Sequence, residues 1–481
     1  MSSPPGAINT MESHLDFIIV GAGVSGINCA YWLQSELPRV KFTILEGRDS
    51  IGGTWDLFTY PGIRSDTSLT TYGFAWQPWP YSHPIAEGPL IMQYLSDCVS
   101  KHGINQYIQF RHRVLSMKWS SKTQRWTLIV DHEGLLKELT ARFVFLGVGY
   151  YDYETPRQTT IPGIENFKGK VVHPQFWPEK YDYTGQKMVL IGSGATTVSL
   201  LPSLAKKASV TLVQRSPGYV MSIVNTLPSS WLPVAFQRLW QNVVVDCMRL
   251  YYKYCPARAR AAMLRAAAAQ LPESVNVNPH FTPRYRVWEQ RLCFAPDGDY
   301  YKALHNPNTR VVTGRVRRVT ERAVEMEDGR VIEADAVVTA TGLKMQMGGK
   351  IDISVDGRAM QWKGSVVWNG VMLQDVPNMM FGFGYTDVSW TIGSDNTILL
   401  LIRLWKYMES RSVAVAVPRL PEKATFEAVR FWALESTYAR ESEGDLPICG
   451  RTGPWKPRVS PSIDYLHARW GNITTGLQFS S

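Results

Sequence analysis

The sequence predicts an α/β fold of two similar domains, and three observations carry this prediction. The glycine-rich loop 21–26 directly follows the short apolar run 17–20, and a second such loop, 192–197, follows the apolar run 188–191. Each loop opens a helical pattern, in the order of strand, glycine turn and helix that is typical of a Rossmann-like dinucleotide-binding domain. Residues 229–271 have helical periodicity, so we expect a helical insertion in the second domain.

The three glycines of the first loop have separate tasks. Gly21 makes the tight turn, Gly23 lets the backbone approach a pyrophosphate, and Gly26 lets the helix start close to its strand. Glu46 ends the apolar run 42–45, twenty residues beyond Gly26. A carboxylate there can accept both hydroxyls of an adenosine ribose. We therefore predict that the first domain binds FAD.

The second loop offers phosphate contacts through Gly192, Ser193, Gly194 and Thr197. The apolar run 210–213 ends in Gln214-Arg215-Ser216, without a carboxylate. Arg215 can donate two hydrogen bonds to the 2′-phosphate of NADP, and Ser216 can donate a third. This pattern predicts NADPH in the second domain, although a solvated surface arginine would look the same in sequence.

The domain organisation follows from the positions of these units. We expect the first part of the FAD-binding domain in residues 1–152 and the first part of the NADPH-binding domain in 153–220. The helical insertion then occupies 221–290, and residues 291–342 and 343–481 complete the second and the first domain.

Composition narrows the possible partners. The net charge is +10, but lysine and arginine are dispersed along the chain, so nucleic acid is not expected. Six scattered cysteines show no C-x-x-C spacing, which argues against a disulfide reductase.

No apolar run is long enough to span a membrane, and a cytoplasmic protein is expected. Arg258, Arg260 and Arg265 raise the possibility of a membrane-facing helix, but without a long apolar face a helix packed on its domain is favoured.

The loop after Glu46 predicts contact with a large flat group. It contains Gly53, Trp55 and Tyr60, followed by Arg64 and Asp66. Glycine permits close approach, the aromatic rings supply apolar walls, and the two charges lie beside whatever binds there. A surface loop is the alternative, but two aromatic residues indicate packing.

Two longer motifs identify a family. The segment from Phe167 matches Phe-x-Gly-x-x-x-His-x-x-x-Trp-Pro through His173 and Trp177 to Pro178, and residues 52–66 match Gly-Gly-x-Trp-x₄-Tyr-Pro-Gly-x₃-Asp. In these motifs the chain resembles the class B flavoprotein monooxygenases and, within them, the Baeyer–Villiger monooxygenases. The resemblance covers nearly the whole chain and is closest to the short, ethionamide-activating type.

The resemblance implies an NADPH- and O₂-dependent enzyme that transfers one oxygen atom from a C4a-peroxyflavin. The most favoured reaction is Baeyer–Villiger oxidation of an apolar ketone to an ester or lactone. A sulfur or nitrogen oxygenase, or an epoxidase or hydroxylase of a natural-product pathway, is the alternative, and a redox-sensing flavoprotein without catalysis stays open. Further FAD contacts are expected from Thr54, Tyr72 and Val114, beside Gly53, Trp55, Arg64 and Asp66.

Arg291 is the catalytic candidate. It matches the family's catalytic arginine, and a peroxide anion requires fixed positive charge in a site that excludes water. Arg284 and Arg286 are close enough in sequence to be confused with it, and Asp66 is expected to pair with Arg291 and orient it. By the resemblance, His173 and Trp177 belong to a linker that couples cofactor movement to domain rotation. Tyr385 and Trp390 are candidates for the lining of the substrate pocket.

Overall fold

The computed structural model of the protein describes residues 9–226, 234–385, 387–421, 426–432 and 435–481. The first residues of the first predicted domain and residues 227–233, near the start of the predicted insertion, lie outside this description.

The first unit is built on a nine-stranded mixed sheet. Its central strand, Asn9–Val20, pairs in parallel with Phe42–Leu45 and with Leu135–Leu146. Phe17, Ile18 and Ile19 are fully buried because helices and loops cover both faces, which explains their continuous apolar sequence. The order across the sheet is Arg358–Ala359, Asp352–Val355, His112–Ser120, Arg125–His132, Leu135–Leu146, Asn9–Val20, Phe42–Leu45 and Ile108–Gln109, with Met379–Phe381 also paired to Leu135–Leu146.

The second unit is an all-parallel sheet of five strands. The order across it is Thr309–Thr313, Ser209–Gln214, Lys187–Ile191, Ala336–Thr339 and Lys170–Val172. Strands from before and after the helical segment therefore lie in the same sheet. The helix Ala195–Leu204 follows the second glycine loop, just as Val24–Glu36 follows the first. The predicted fold of two Rossmann-like units is confirmed.

Helices separate the two halves of the second unit. They are Val234–Tyr254, Pro256–Ala268 and the short Val277–His280. The strand Val220–Ile223 precedes these helices and Cys293–Pro296 follows them. The two strands pair in parallel, so the chain enters and leaves the helical segment at the same place. Next to the sheet lies an antiparallel group of Val316–Val319, Ala323–Met326 and Val331–Glu333.

The last part of the chain returns to the first unit. Asp352–Val355 and Met379–Phe381 join its sheet, and the helix Trp390–Ser410 lies against Val24–Glu36. Asn28 of Val24–Glu36 donates a hydrogen bond of 2.7 Å to Asp395 of Trp390–Ser410. The other elements are the helices Thr54–Leu57, Leu69–Tyr72, Gly88–Lys101, Asp299–Leu304, Thr437–Glu441 and Pro461–Trp470, the short strands Val367–Trp368, Met372–Leu373, Val415–Pro418, Ala428–Arg430, Ile448–Gly450 and Leu477–Ser480, and the 3₁₀ turns Ile104–Tyr107, Ile164–Asn166, Pro174–Phe176, Met347–Lys350, Glu443–Asp445 and Gly453–Trp455.

Candidate active site

One cavity of about 1060 Å³ lies between the two units, and both glycine loops open into it. Its size is at the upper end of ordinary ligand pockets. The described residues form no group of three or more side chains suited to hold a metal ion. The cavity is therefore a candidate site for organic cofactors such as the two predicted dinucleotides.

The first glycine loop has the geometry that a pyrophosphate requires. Gly21 has φ +97°, and a Cβ there would lie 2.8 Å from the Gly147 carbonyl oxygen. A Cβ on Gly26 would lie 1.9 Å from the Gly21 oxygen, so only glycine lets the helix approach its strand. At Gly23 the nearest atom to such a Cβ is the Gly53 Cα at 3.8 Å. Gly21 and Gly23 line the cavity, whereas Gly26 supports the loop from behind.

Glu46 is held at the end of strand Phe42–Leu45, at the edge of the cavity. Its Oε2 accepts a hydrogen bond of 2.7 Å from the Ala22 backbone N–H, and Oε1 accepts one of 2.9 Å from Arg48 N–H. Burial raises the pKa of Glu46, and these two backbone hydrogen bonds oppose the rise. A carboxylate has about four acceptor sites, so it can still receive the ribose hydroxyls.

The loop predicted to contact the flavin borders the same cavity. Thr54 Oγ1 lies 3.2 Å from the Tyr153 hydroxyl, and Trp55 donates a hydrogen bond of 2.7 Å from Nε1 to the Tyr72 hydroxyl. Gly53 and Val114 line the cavity as well. The structure thus brings Gly53, Thr54, Trp55, Tyr72 and Val114 together, as the FAD interpretation requires.

The second glycine loop repeats the turn of the first. Gly192 has φ +145°, and a Cβ there would meet the Ala340 oxygen at 2.2 Å, whereas around Gly194 no atom lies within 4 Å of the added Cβ. Ser193 and Gly194 line the cavity. Thr197, in the position of the third glycine, is fully buried beneath the loop.

Arg215 and Ser216 follow the strand Ser209–Gln214 and also border the cavity. The Arg215 side chain is exposed, and its Nη2 donates a hydrogen bond of 3.0 Å to Thr437 Oγ1. An exposed guanidinium beside the second glycine loop is placed to meet a phosphate that enters from solvent.

Two ion pairs connect the flavin loop to the second unit. Arg291 binds Asp66 through both Nε and Nη2, with 2.6 Å between Nη2 and Oδ1. Arg64 binds Asp299 in the same two-pronged way and donates to the Val198 carbonyl oxygen at 3.3 Å. The expected pairing of Asp66 with Arg291 is present. Arg64 lines the cavity, but its charge is directed at Asp299, a partner that the sequence did not indicate.

Arg291 keeps its positive charge in a partly buried position. Burial disfavours the charge, but the attraction of Asp66 outweighs it and raises the pKa of Arg291. Its side chain is 28% exposed and faces the cavity, whereas Arg284 and Arg286 are exposed and do not line it. Of the three arginines that spacing could not separate, the structure brings only Arg291 to the cavity.

A group of aromatic side chains surrounds this arginine, and sequence reasoning missed most of it. Tyr150 stacks on Trp390 with ring centroids 5.1 Å apart and shares a hydrogen bond of 2.9 Å with Tyr151. Burial raises the pKa of Tyr150 to about 12 and raises that of Tyr438, so both phenols are neutral at physiological pH. Tyr385 and Trp390, predicted to line the pocket, do border the cavity.

The segment of the first family motif, from Phe167 to Pro178, lies at the edge of the second sheet. Trp177 is buried in that unit against Tyr183, and burial lowers the pKa of His173. Neither residue is among those that line the cavity. Gln175 between them is buried and donates a hydrogen bond of 2.6 Å to the Asp152 carbonyl oxygen, where the chain leaves the first unit. The coupling role of His173 and Trp177 stays a prediction, and Gln175 is the contact that the sequence did not reveal.

Comparison with known proteins identifies relatives of the whole chain. Residues 16–252 match the model of the flavin-binding monooxygenase-like family. The chain is 38% identical over 475 residues to the FAD-containing monooxygenase EthA of Mycolicibacterium smegmatis, covering 96% of each protein. It is 36% identical to the probable FAD-binding monooxygenase AlmA of Acinetobacter baylyi, covering 93% of this chain and 92% of that one.

Solved structures share the fold at lower sequence identity. A steroid monooxygenase bound to NADP superposes with a TM-score of 0.77 and 21% identity, covering 97% of this chain and all of the other. An open structure of cyclohexanone monooxygenase gives a TM-score of 0.75 and 20% identity over 98% of this chain and all of its own. These matches show the shared fold, and the relatives at 36–38% identity confirm the family expected from the two motifs: the chain belongs to the flavin-binding monooxygenase-like family, as an FAD-containing monooxygenase.

Proposed function

We propose that this enzyme uses NADPH and O₂ to insert one oxygen atom beside the carbonyl group of an apolar ketone, which gives an ester or a lactone. The position of Arg291 is the observation that carries the proposal. Its guanidinium, fixed by Asp66, faces the cavity that both glycine loops line. Fixed positive charge in a site that excludes water stabilises an oxyanion far better than it does in solvent.

FAD and NADP(H) are the cofactors that fit this cavity. The open backbone at Gly23, the anchored Glu46 and the Trp55–Tyr72 pair suit FAD. The open backbone at Gly194 and the exposed Arg215 suit NADP(H), and a structural neighbour contains NADP. When bound, flavin reduced by NADPH supplies the activated oxygen atom.

The residues around the reacting group have electrostatic and positioning tasks. The raised pKa of Arg291 means that it stays protonated, so it contributes charge and does not transfer protons. Asp66 orients the guanidinium through two hydrogen bonds, which reduces the reorganisation needed when an oxyanion forms. The buried Tyr150 and the partly buried Tyr438, both neutral, limit the access of water to Arg291.

The cavity wall supports an apolar substrate. Tyr150, Trp390 and Tyr385 present aromatic surface to it, and their polar atoms are hydrogen-bonded elsewhere: Trp390 Nε1 to Ser25 Oγ at 2.9 Å and the Tyr385 hydroxyl to Asp464 at 2.6 Å. Such a wall binds hydrocarbon and leaves the carbonyl to the charged group. A structural neighbour is known with cyclohexanone bound.

Product analysis tests the reaction class. The purified protein is incubated with NADPH, air and a small molecule that carries both a ketone and a thioether, and the products are identified by mass and NMR. Oxygen inserted beside the carbonyl is the expected outcome. Sulfoxide as the only product would contradict the proposal and favour an oxygenase of sulfur or nitrogen.

Removal of Arg291 tests the residue. Arg291→Ala is expected to keep its flavin and the reduction of that flavin by NADPH, but to lose about 100-fold or more in ester formation, the usual loss for a group that stabilises an oxyanion. Arg284→Ala and Arg286→Ala are matched controls because both side chains are exposed outside the cavity. Ester formation retained in Arg291→Ala would refute the assignment.

A further inference from the structure

The helix Val234–Tyr254 has its apolar side turned to solvent. Eight of its large apolar side chains are exposed, and they recur every third or fourth residue. Cys247, which is also exposed, continues this spacing in the middle of the helix. Trp240 is 60% exposed. We call this surface the apolar face, and its largest members are Phe236, Leu239, Trp240, Leu250, Tyr251 and Tyr254.

Apart from the exposed Lys253, the charged side chains of the same helix are partly buried and face the protein. Arg238 pairs with Asp395 at 2.9 Å, and Arg249 pairs with Asp387 at 2.6 Å. Val245 packs against the cluster of Tyr385 and Val388, two residues that border the cavity. The helix is thus fixed in an orientation opposite to that of an ordinary surface helix.

A second helix extends the apolar face. Pro461–Trp470 lies against Val234–Tyr254, where the Ser462 backbone N–H donates to Asp246 at 3.3 Å. Its exposed apolar residues, Ile463, Leu466 and Trp470, recur every third or fourth position. Exposed apolar side chains on two adjacent helices are typical of an interaction site.

The exposed charged side chains of these two helices and of Pro256–Ala268 are all basic. Lys253, Arg258, Arg265 and Arg469 are exposed, and none of them forms an ion pair within the described parts of the chain. The carboxylates of these helices are used internally: Asp246 accepts from the Ser462 N–H, and Asp464 accepts from the Tyr385 hydroxyl and the Val459 N–H. Exposed apolar and aromatic residues beside basic ones suit an anionic lipid surface.

We propose that the apolar face docks this protein on the surface of an anionic lipid bilayer, with Val234–Tyr254 lying in the plane of the interface. Tryptophan and tyrosine favour that region because one part of each ring is apolar and the other polar. A second copy of the chain is the less favoured occupant, because each copy has a net charge of +10 and the two faces would bring their basic residues together. No helix among the described residues is long and apolar enough to cross a bilayer, so docking takes place from one side.

The sequence argument against membrane contact concerned the helix Pro256–Ala268. The arginines lie on Pro256–Ala268, which has no long apolar face of its own. The apolar face belongs to the helix before it, and periodicity alone did not show that this side points outward.

Vesicle flotation of the FAD-loaded, full-length protein tests the proposal. Vesicles of phosphatidylcholine mixed with phosphatidylglycerol are compared with phosphatidylcholine alone. Binding to the anionic vesicles is expected, with loss at high salt. Leu250→Asp should weaken it about tenfold or more. Leu135→Asp is the matched control, because Leu135 is 67% and Leu250 53% exposed and Leu135 lies on a strand of the first sheet.

Three results would overturn the proposal. In the first, the protein binds neither kind of vesicle. In the second, Leu250→Asp leaves binding to the anionic vesicles unchanged. In the third, Leu135→Asp weakens this binding as much as Leu250→Asp does. Sedimentation velocity identifies the alternative occupant: a dimer that Leu250→Asp dissociates would show that a second copy covers the apolar face. Flavin content and reduction by NADPH should be normal in both variants, which separates this test from that of the proposed reaction.

Discussion

The two nucleotide-binding units have nearly the same backbone conformation at their glycine turns. They differ in the side chain that follows the neighbouring strand. Gly23 and Gly194 precede their helices with nearly the same backbone angles, φ −75° and ψ −174° against φ −92° and ψ −171°, and neither helix has a side-chain cap. One neighbouring strand then ends in the buried, anchored Glu46 and the other in the exposed Arg215. Both glycine turns suit a pyrophosphate, and we propose that the side chain at the strand end selects the nucleotide.

The units also differ in how tightly the turn is packed. Behind the first turn there is no room for a methyl group, whereas Thr197 occupies the equivalent position in the second and is fully buried. The two turns therefore differ in the residue that brings the helix against its strand. Four substitutions can break or sharpen this contrast.

The largest effect is expected from Gly26→Ala. The added methyl group would lie 1.9 Å from the Gly21 oxygen, so the loop must move, at a cost of about 3 kcal/mol or more. We expect protein that is purified without flavin and melts at a lower temperature, measured by absorbance and thermal unfolding. Gly194→Ala is the control in the second unit, at the position equivalent to Gly23, where the methyl group meets nothing within 4 Å, and it should retain flavin. Full flavin content in Gly26→Ala would show that the packing difference is unimportant.

Glu46→Gln tests the strand end of the first unit. An amide cannot accept from both the Ala22 and the Arg48 N–H groups without turning its own NH₂ toward one of them. Loss of such a charge-assisted hydrogen bond costs about 1.5–3 kcal/mol, and we expect a rise of roughly 10- to 100-fold in the Kd of FAD, measured by reconstitution of the apoprotein. The KM for NADPH should not change. A change in both constants would mean that the units are not independent.

Much of this contrast could be predicted from the sequence because it is local. The glycine loops, Glu46 and Arg215 follow directly from strands with apolar patterns, and Arg291 with Asp66 came from motifs. The Arg64–Asp299 pair and the Gln175–Asp152 contact could not be predicted, because they depend on how the units pack. Periodicity likewise predicts the helix Val234–Tyr254 but not its orientation, since an apolar stripe ordinarily faces inward.

Arg215→Ala tests the strand end of the second unit. Removal of a guanidinium that binds the 2′-phosphate should raise the KM for NADPH roughly 10- to 50-fold, with a smaller effect on kcat. The KM for NADH should stay within about twofold, because NADH has no phosphate there. Arg215→Lys keeps the positive charge but cannot donate two parallel hydrogen bonds. Its KM for NADPH should therefore lie between those of the wild type and Arg215→Ala. Equal effects on both nucleotides would contradict the role of Arg215.

The smallest effect is expected from Thr437→Ala, which tests whether Arg215 is held ready for its ligand. Thr437 accepts a hydrogen bond from Arg215 Nη2, and an exposed bond of this kind contributes about 0.5–1 kcal/mol. If it orients the guanidinium, its loss should raise the KM for NADPH about two- to fivefold without affecting that for NADH, and Thr437→Ser should behave like the wild type. A lower KM for NADPH in Thr437→Ala would mean that Thr437 competes with the phosphate, because Arg215 must then leave it before binding. In that case the hydrogen bond between Thr437 and Arg215 would lower the affinity of the second unit for NADPH. It would favour release of the nucleotide over its capture.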